Sequence, residues 1–212
     1  MAKITGVEEF REIPPKVLQM YDAVIWLIEE GEDASSIRVS TITDRAGIGQ
    51  GTAYDYFDSK EDIVACAVVF HIQRVFHMLE QELQKQESFE KQLSWMLEEM
   101  NRESNRKYCF IRMVHILTDN SEFSRLVRQK MMSKSFERYH PVNVFGNILK
   151  QGMARKEIRN DLPVEFMVYT IFSGLLTYMM SISTEECFHV DPKEMKPLVY
   201  QQILRELGEK NP

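Results

Sequence analysis

VSTITDRAGIGQGTAYDYFDSKEDI, residues 39–63, holds two short helices around a glycine-bearing turn. Val39, Ile42 and Ala46 fall at i, i+3 and i+7 and mark one apolar helix face. Gly47 follows at once, where a helix stops in a left-handed residue that glycine adopts without a Cβ clash. Ile48 reads as a buried turn residue, and residues 50–57 carry a further stretch of helix in which Gly51 and Ala53 permit close packing. Two helices joined by a tight glycine turn make a helix-turn-helix, whose second helix lies in the major groove of DNA. The stretch therefore predicts a DNA reader.

Outward from this stretch the pattern stays helical. Val17, Met20, Tyr21, Val24, Ile25, Leu27 and Ile28 place a 3.6-residue apolar stripe on a helix over residues 15–30, ended by Gly31. Ser59-Lys60-Glu61-Asp62 has the form of a capping box and starts a long helix to about residue 84 that neither Pro nor Gly interrupts. Further helical segments are expected at 88–103, 106–118, 121–139, 141–155, 163–183 and 192–208. Asp191-Pro192-Lys193-Glu194 combines an Asp cap, Pro at the first helical position and a Glu in the first turn. No strand-like alternation and no repeat is visible. The fold class is all-α.

The ordered run Ala46-Gly47-Ile48, Gly51-Thr52-Ala53-Tyr54, Tyr56-Phe57 and Ser59-Lys60-Glu61-Asp62-Ile63 resembles the TetR family of transcriptional regulators. With the upstream helix, the resemblance covers residues 14–70. It implies an N-terminal three-helix DNA-binding domain over residues 1–58 and a larger helical domain over 59–212 for effector binding and dimerisation. One departure is Arg38, where the family more often caps the helix with Ser or Thr.

Composition sets limits on this reading. Apolar residues make up 44% of the 212 and charged residues 27%, which excludes a disordered chain. Residues 3–15 contain no apolar signal-peptide core. Residues 166–184 are borderline for a membrane span, and a buried interface helix is the better reading. Cys66, Cys109 and Cys187 are isolated and odd in number, which suits a reducing cytoplasm. The net charge of −6 is uneven: residues 1–70 hold six bases against thirteen acids. Phosphate neutralisation supplies most non-specific DNA affinity, so an acidic reader is expected to make few phosphate contacts.

The expected DNA-contacting residues are Arg38, Ser40, Gln50, Gly51, Thr52, Tyr54, Asp55, Tyr56 and Lys60. By the family resemblance, Thr52, Tyr54, Tyr56 and Lys60 match positions used largely for phosphate and groove contacts. The chemistry agrees, because hydroxyls donate to phosphate oxygens and Lys60 adds a charge beside the free N–H groups of a helix start. Gln50 can pair with adenine and Asp55 can accept from cytosine N4. Tyr54 also reads as a core ring with a wet hydroxyl, and Phe57 as core. Arg45 and Asp44 read as a solvated face.

Phe166, Tyr169, Thr170, Ser173, Leu176, Thr177 and Met180, with Leu198, Ile203 and Leu207, form two stripes expected at a dimer interface. The family implies a four-helix bundle across a two-fold axis, which predicts a palindromic operator. An ordinary intrachain core is the alternative. In the middle of the chain, Trp95, Met96, Tyr108, Phe110, Arg112, Met113, His115, Met132 and Phe136 are the expected lining of a small-molecule effector site. Arg112 and His115 could orient a polar group there, or form an interhelical salt bridge and a core histidine.

No metal spacing, phosphate loop or nucleophile elbow is present, so no catalysis, cofactor or metal is expected. The sequence thus predicts a cytoplasmic, homodimeric, ligand-responsive repressor, released from its palindromic operator by a small apolar or amphipathic effector. An interaction module that keeps the fold without DNA affinity remains the rival, and an activator role is not separable from repression.

Overall fold

Pro15 opens α1 (Pro15–Glu29) at the position where a missing N–H costs no hydrogen bond. Its stripe of Val17, Met20, Tyr21, Val24 and Leu27 is buried, and Gly31 follows at φ 106°. α2 (Val39–Ala46) stops on Gly47, which sits at φ 68° and ψ 31° in the left-handed region. α3 (Gln50–Tyr56) follows after Ile48 and Gly49. α4 (Lys60–Gln84) begins as the capping-box pattern predicts, with the Asp62 amide donating to Ser59 Oγ at 3.1 Å. The computed structural model describes residues 3–4, 12–102, 114–116, 118–184 and 190–209. Among these the regular structure is helical, apart from an antiparallel bridge between Ile158 and Gly208.

The chain divides into two compact units, Met1–His77 with Arg112–His140, and Met78–Ile111 with Pro141–Pro212. In the first unit the core is built on Tyr21, whose ring lies 6.1 Å from Phe57 and 5.2 Å from Phe70. Ile42, Ala53, Phe57, Ile63 and Val64 are fully buried around it, so α2 and α3 are fixed by packing rather than by their own short length. α5 (Phe89–Arg102) lies in the second unit, and α6 (Glu122–Met131) belongs to the first. Ser121 caps it by accepting from the Ser124 amide at 3.2 Å. Phe123 packs against the same core, and Lys130 Nζ pairs with Asp62 Oδ1 at 2.7 Å.

The expected single helix over 121–139 is broken. Met132 turns to ψ 0°, Ser133 is extended, and a separate short helix, α7 (Lys134–Glu137), follows.

The second unit holds α5 (Phe89–Arg102), α8 (Pro141–Ala154), α9 (Val164–Ser183) and α10 (Pro192–Leu207). Asp191 caps α10 through the Lys193 amide at 2.8 Å, with Pro192 at the first helical position, as its sequence predicts. Gly174 lets α9 and α10 approach closely: a Cβ there would stand 2.6 Å from Ile203 Cδ1.

Candidate nucleic-acid interface

The solvent face of α3 carries Gln50, Gly51, Tyr54 and Asp55, all exposed, with Thr52 half-buried beside them. The opposite face is anchored by Ala53 at 0% exposure. This amphipathic division leaves α3 with one face seated on the core and the other open to solvent. Its seven residues supply too few hydrogen bonds to hold a helix alone, so the core beneath it sets its orientation. Tyr54 is 49% exposed, which settles its ring as a surface group rather than core. Gly51 has nothing within 4 Å of the position a Cβ would take, so the backbone itself is open to close approach.

Arg38 is exposed at the start of α2, in extended conformation and without a side-chain cap. Ser40, the second residue of the helix, is half-buried. Thr43 donates back to the carbonyls of Val39 and Ser40, at 3.0 and 3.1 Å, and is fully buried.

Two expected contacts depart from the sequence reading. Tyr56 is only 7% exposed and joins the core cluster, because the helix turns it inward together with Ala53. Lys60 is committed internally. Its ammonium donates to the Ser35 carbonyl at 2.6 Å and pairs with Glu61 at 3.3 Å. Glu61 in turn lies at the α4 N-terminus, where its own backbone N–H and Lys60 hold its carboxyl below the usual carboxylate range. A carboxylate therefore already stands where a phosphate was expected.

Two further head cations, Arg45 and Lys3, are also occupied. The Arg45 guanidinium lies 3.2 Å over the Trp26 ring, so this residue is a stacked partner and not simply a solvated charge. Lys3, which the sequence reading missed, donates to the carbonyls of Tyr54 and Phe57 at 2.7 and 2.9 Å. It is separated from these partners by more than fifty residues, which no local pattern reveals.

Residues 27–66 match the model for bacterial regulatory proteins of the tetR family. Over this stretch the chain is similar to TetR-family regulators. The match spans the end of α1, the whole helix-turn-helix and the start of α4, the TetR-type head described above. Over 163 residues, 76% of this chain and 80% of the relative, it is 25% identical to the fatty acid metabolism regulator protein of Bacillus subtilis (strain 168). A solved structure of the transcriptional regulator FadR from Bacillus subtilis, in complex with stearoyl-CoA, superposes with a TM-score of 0.64. The identity is 19%, with 88% of this chain and 96% of that one covered. Salmonella enterica GusR superposes with a TM-score of 0.68 at 15% identity, covering 94% and 99%. These superpositions show that both units follow the fold of TetR-type regulators.

Beyond the TetR-type head, the expected effector residues are distributed over both units. Tyr108, Phe110, Arg112 and Met113 lie outside the described residues. Met96 is buried and Trp95 half-buried in the second unit. Phe136 is fully buried in the first unit, whereas His115 is exposed there. Met132 is 87% exposed at the break between α6 and α7, so it lines no enclosed site.

The expected dimer stripe divides by helix. On α9, Phe166, Tyr169 and Met180 are 53%, 70% and 50% exposed, and Ser173 and Thr177 are exposed between them. The hydroxyls of Thr170, Ser173 and Thr177 donate back to carbonyls within the helix, at 3.1, 3.0 and 2.8 Å, leaving a face of rings and methyls. Leu176 is half-buried, and Leu198 on α10 is 59% exposed. Ile203 and Leu207 are instead buried, because Ile203 fills the gap over Gly174 within the same chain. They belong to the intrachain core.

By length and composition α4 and α9 could each cross a membrane. Only 44% of the apolar window of α9 is buried, against 61% for α4, so α9 carries the larger uncovered apolar face.

Proposed function

We propose that this chain is a homodimeric transcriptional repressor that leaves a palindromic operator when a small amphipathic effector binds. The observation that carries the reading is the exposed face of α3 set on a TetR-family head. Residues 1–58 read DNA in this proposal, while 59–212 hold the effector and the dimer face. Its setting is the cytoplasm. Arg38, Ser40, Gln50, Gly51, Thr52, Tyr54 and Asp55 form the contact set; Gln50 and Asp55 read base edges. An acyl-CoA thioester is the favoured effector class, because the Bacillus subtilis relative is a fatty acid metabolism regulator and the superposed regulator holds stearoyl-CoA.

Lys3, Arg45 and Lys60 all have internal partners, so few charges remain for phosphate. The logarithmic salt slope is about −0.9 per neutralised phosphate, and a shallow slope is therefore expected. The test selects duplexes from a randomised pool and titrates them by fluorescence anisotropy across a salt series, with and without stearoyl-CoA. Enrichment of a two-fold-symmetric site, with release by the thioester, supports the repressor.

The occupied cations also favour a second reading, an interaction module that retains the fold. No enrichment of any duplex at low salt would establish that reading instead.

A further inference from the structure

α3 ends in carbonyls that no later helical residue can satisfy. Three of these, on Tyr54, Tyr56 and Phe57, accept hydrogen bonds from two consecutive residues far away in sequence. Lys3 Nζ donates to Tyr54 and Phe57, and the Ile4 amide donates to Tyr56 at 2.9 Å. The Lys3 ammonium also pairs with Asp58 at 3.3 Å, just past the helix end. A cation placed at a helix C-terminus opposes the negative end of the helix dipole. Ile4 packs against the core, and its carbonyl lies 4.0 Å from Cys66 Sγ on α4. The segment is thus seated on the core at one residue and tied to the reading helix at both.

We propose that residues 3 and 4 act as a strap that fixes the pitch of the reading helix, with Lys3 as a positioning residue for operator recognition. This rests on α3 being the helix that enters the groove. Lys3 acts on the backbone of α3 rather than on DNA. Its loss therefore weakens discrimination between operator and other duplexes, which depends on where the α3 side chains stand. A lysine that merely neutralised a phosphate would weaken all duplexes equally and lower the salt slope by about one unit.

The test compares the full chain with Lys3→Ala and Lys3→Arg. Hydrogen–deuterium exchange, which needs no DNA, reads the strap directly. Lys3→Ala should speed exchange in peptides covering residues 50–57 by about threefold or more while α1 peptides stay unchanged, a local rather than global opening. Lys3→Arg, which keeps the cation, should restore most of the protection. Unchanged exchange over 50–57, or an equal rise across the whole head, overturns the strap.

Anisotropy then reads its role, using the duplex enriched by the unmodified chain and a scrambled duplex of equal length. Lys3→Ala should lower affinity for the enriched duplex by about tenfold more than for the scrambled one, a loss on the scale of one misread base pair. Equal losses on both duplexes overturn the positioning role. Should the chain bind no duplex, the repressor reading and the positioning role fail together, while exchange still decides whether the strap exists.

Discussion

Gly47 and Gly51 lie four residues apart, yet their replacement by alanine should act in opposite directions. Gly47 sits at φ 68°, where an L side chain meets the neighbouring carbonyl. Open space surrounds the added Cβ, so the penalty is purely one of backbone conformation, about 1 kcal/mol or somewhat more. Urea unfolding of Gly47→Ala should show that loss. Gly51 lies within α3 with equal room around it. Gly51→Ala should stabilise the free chain by about 0.5–1 kcal/mol, since alanine loses less backbone entropy in a helix. If α3 enters the groove as proposed, the same methyl would stand between backbone and groove, and affinity for the selected duplex should fall by about 1 kcal/mol or more. A Gly51→Ala chain that binds the duplex unchanged would remove α3 from the groove.

Residue partners also mark the limit of what sequence reveals. Gly47 as a stop, Ser59 as a cap and Phe57 as core are local features, legible from spacing alone. Lys60, Arg45 and Lys3 are not. Their acceptors lie 25, 19 and 51 residues away in sequence, at Ser35, Trp26 and Tyr54. A charge on a helix is written in the sequence, but whether it is free for phosphate depends on the fold around it.

At the scale of elements, the close pair α9 and α10 depends on one missing side chain. An alanine at Gly174 would meet Ile203 Cδ1 at 2.6 Å and Cγ1 at 2.9 Å, so the helices must part or Ile203 must leave its rotamer. Overpacking of this kind costs about 1–3 kcal/mol. Gly174→Ala should therefore lower the thermal midpoint, and Ile203→Ala, which removes both clashing atoms, should cost less in the double variant than it does alone. Simple addition of the two losses would contradict this packing account.

The same pair shows why the stripe on α10 was only half legible. Leu198 and Ile203 are both apolar, but only the register against Gly174 decides which one turns inward. The break after Met131 is hidden in the sequence for a related reason. Met132 and Ser133 carry neither Gly nor Pro, and a helical pattern runs through them without interruption.

For the whole molecule, the uncovered α9 face is the feature with the largest consequence. Phe166, Tyr169 and Met180 recur at helical spacing with half or more of their surface in water. Apolar area stabilises association at about 25 cal/mol per Å² removed from water, less the cost of lost freedom on binding. Tyr169→Glu places a charge in that face without disturbing the interior of either unit. Sedimentation velocity at micromolar concentration should report a dimer for the natural sequence and a monomer for this variant, with unchanged helical circular dichroism. A persistent dimer would move the interface elsewhere.

The two tryptophans fall one to each unit, Trp26 in the first and Trp95 in the second. Trp26 has a guanidinium 3.2 Å from its ring centre, a fixed charge that shifts the emission of an indole. Replacing Trp95 with phenylalanine leaves a fluorophore that watches the head alone, and replacing Trp26 leaves one that watches the rest. The chain thus carries its own pair of optical probes. With them, the order in which an added ligand or a duplex is felt across the two units can be timed in a stopped-flow instrument without any attached dye.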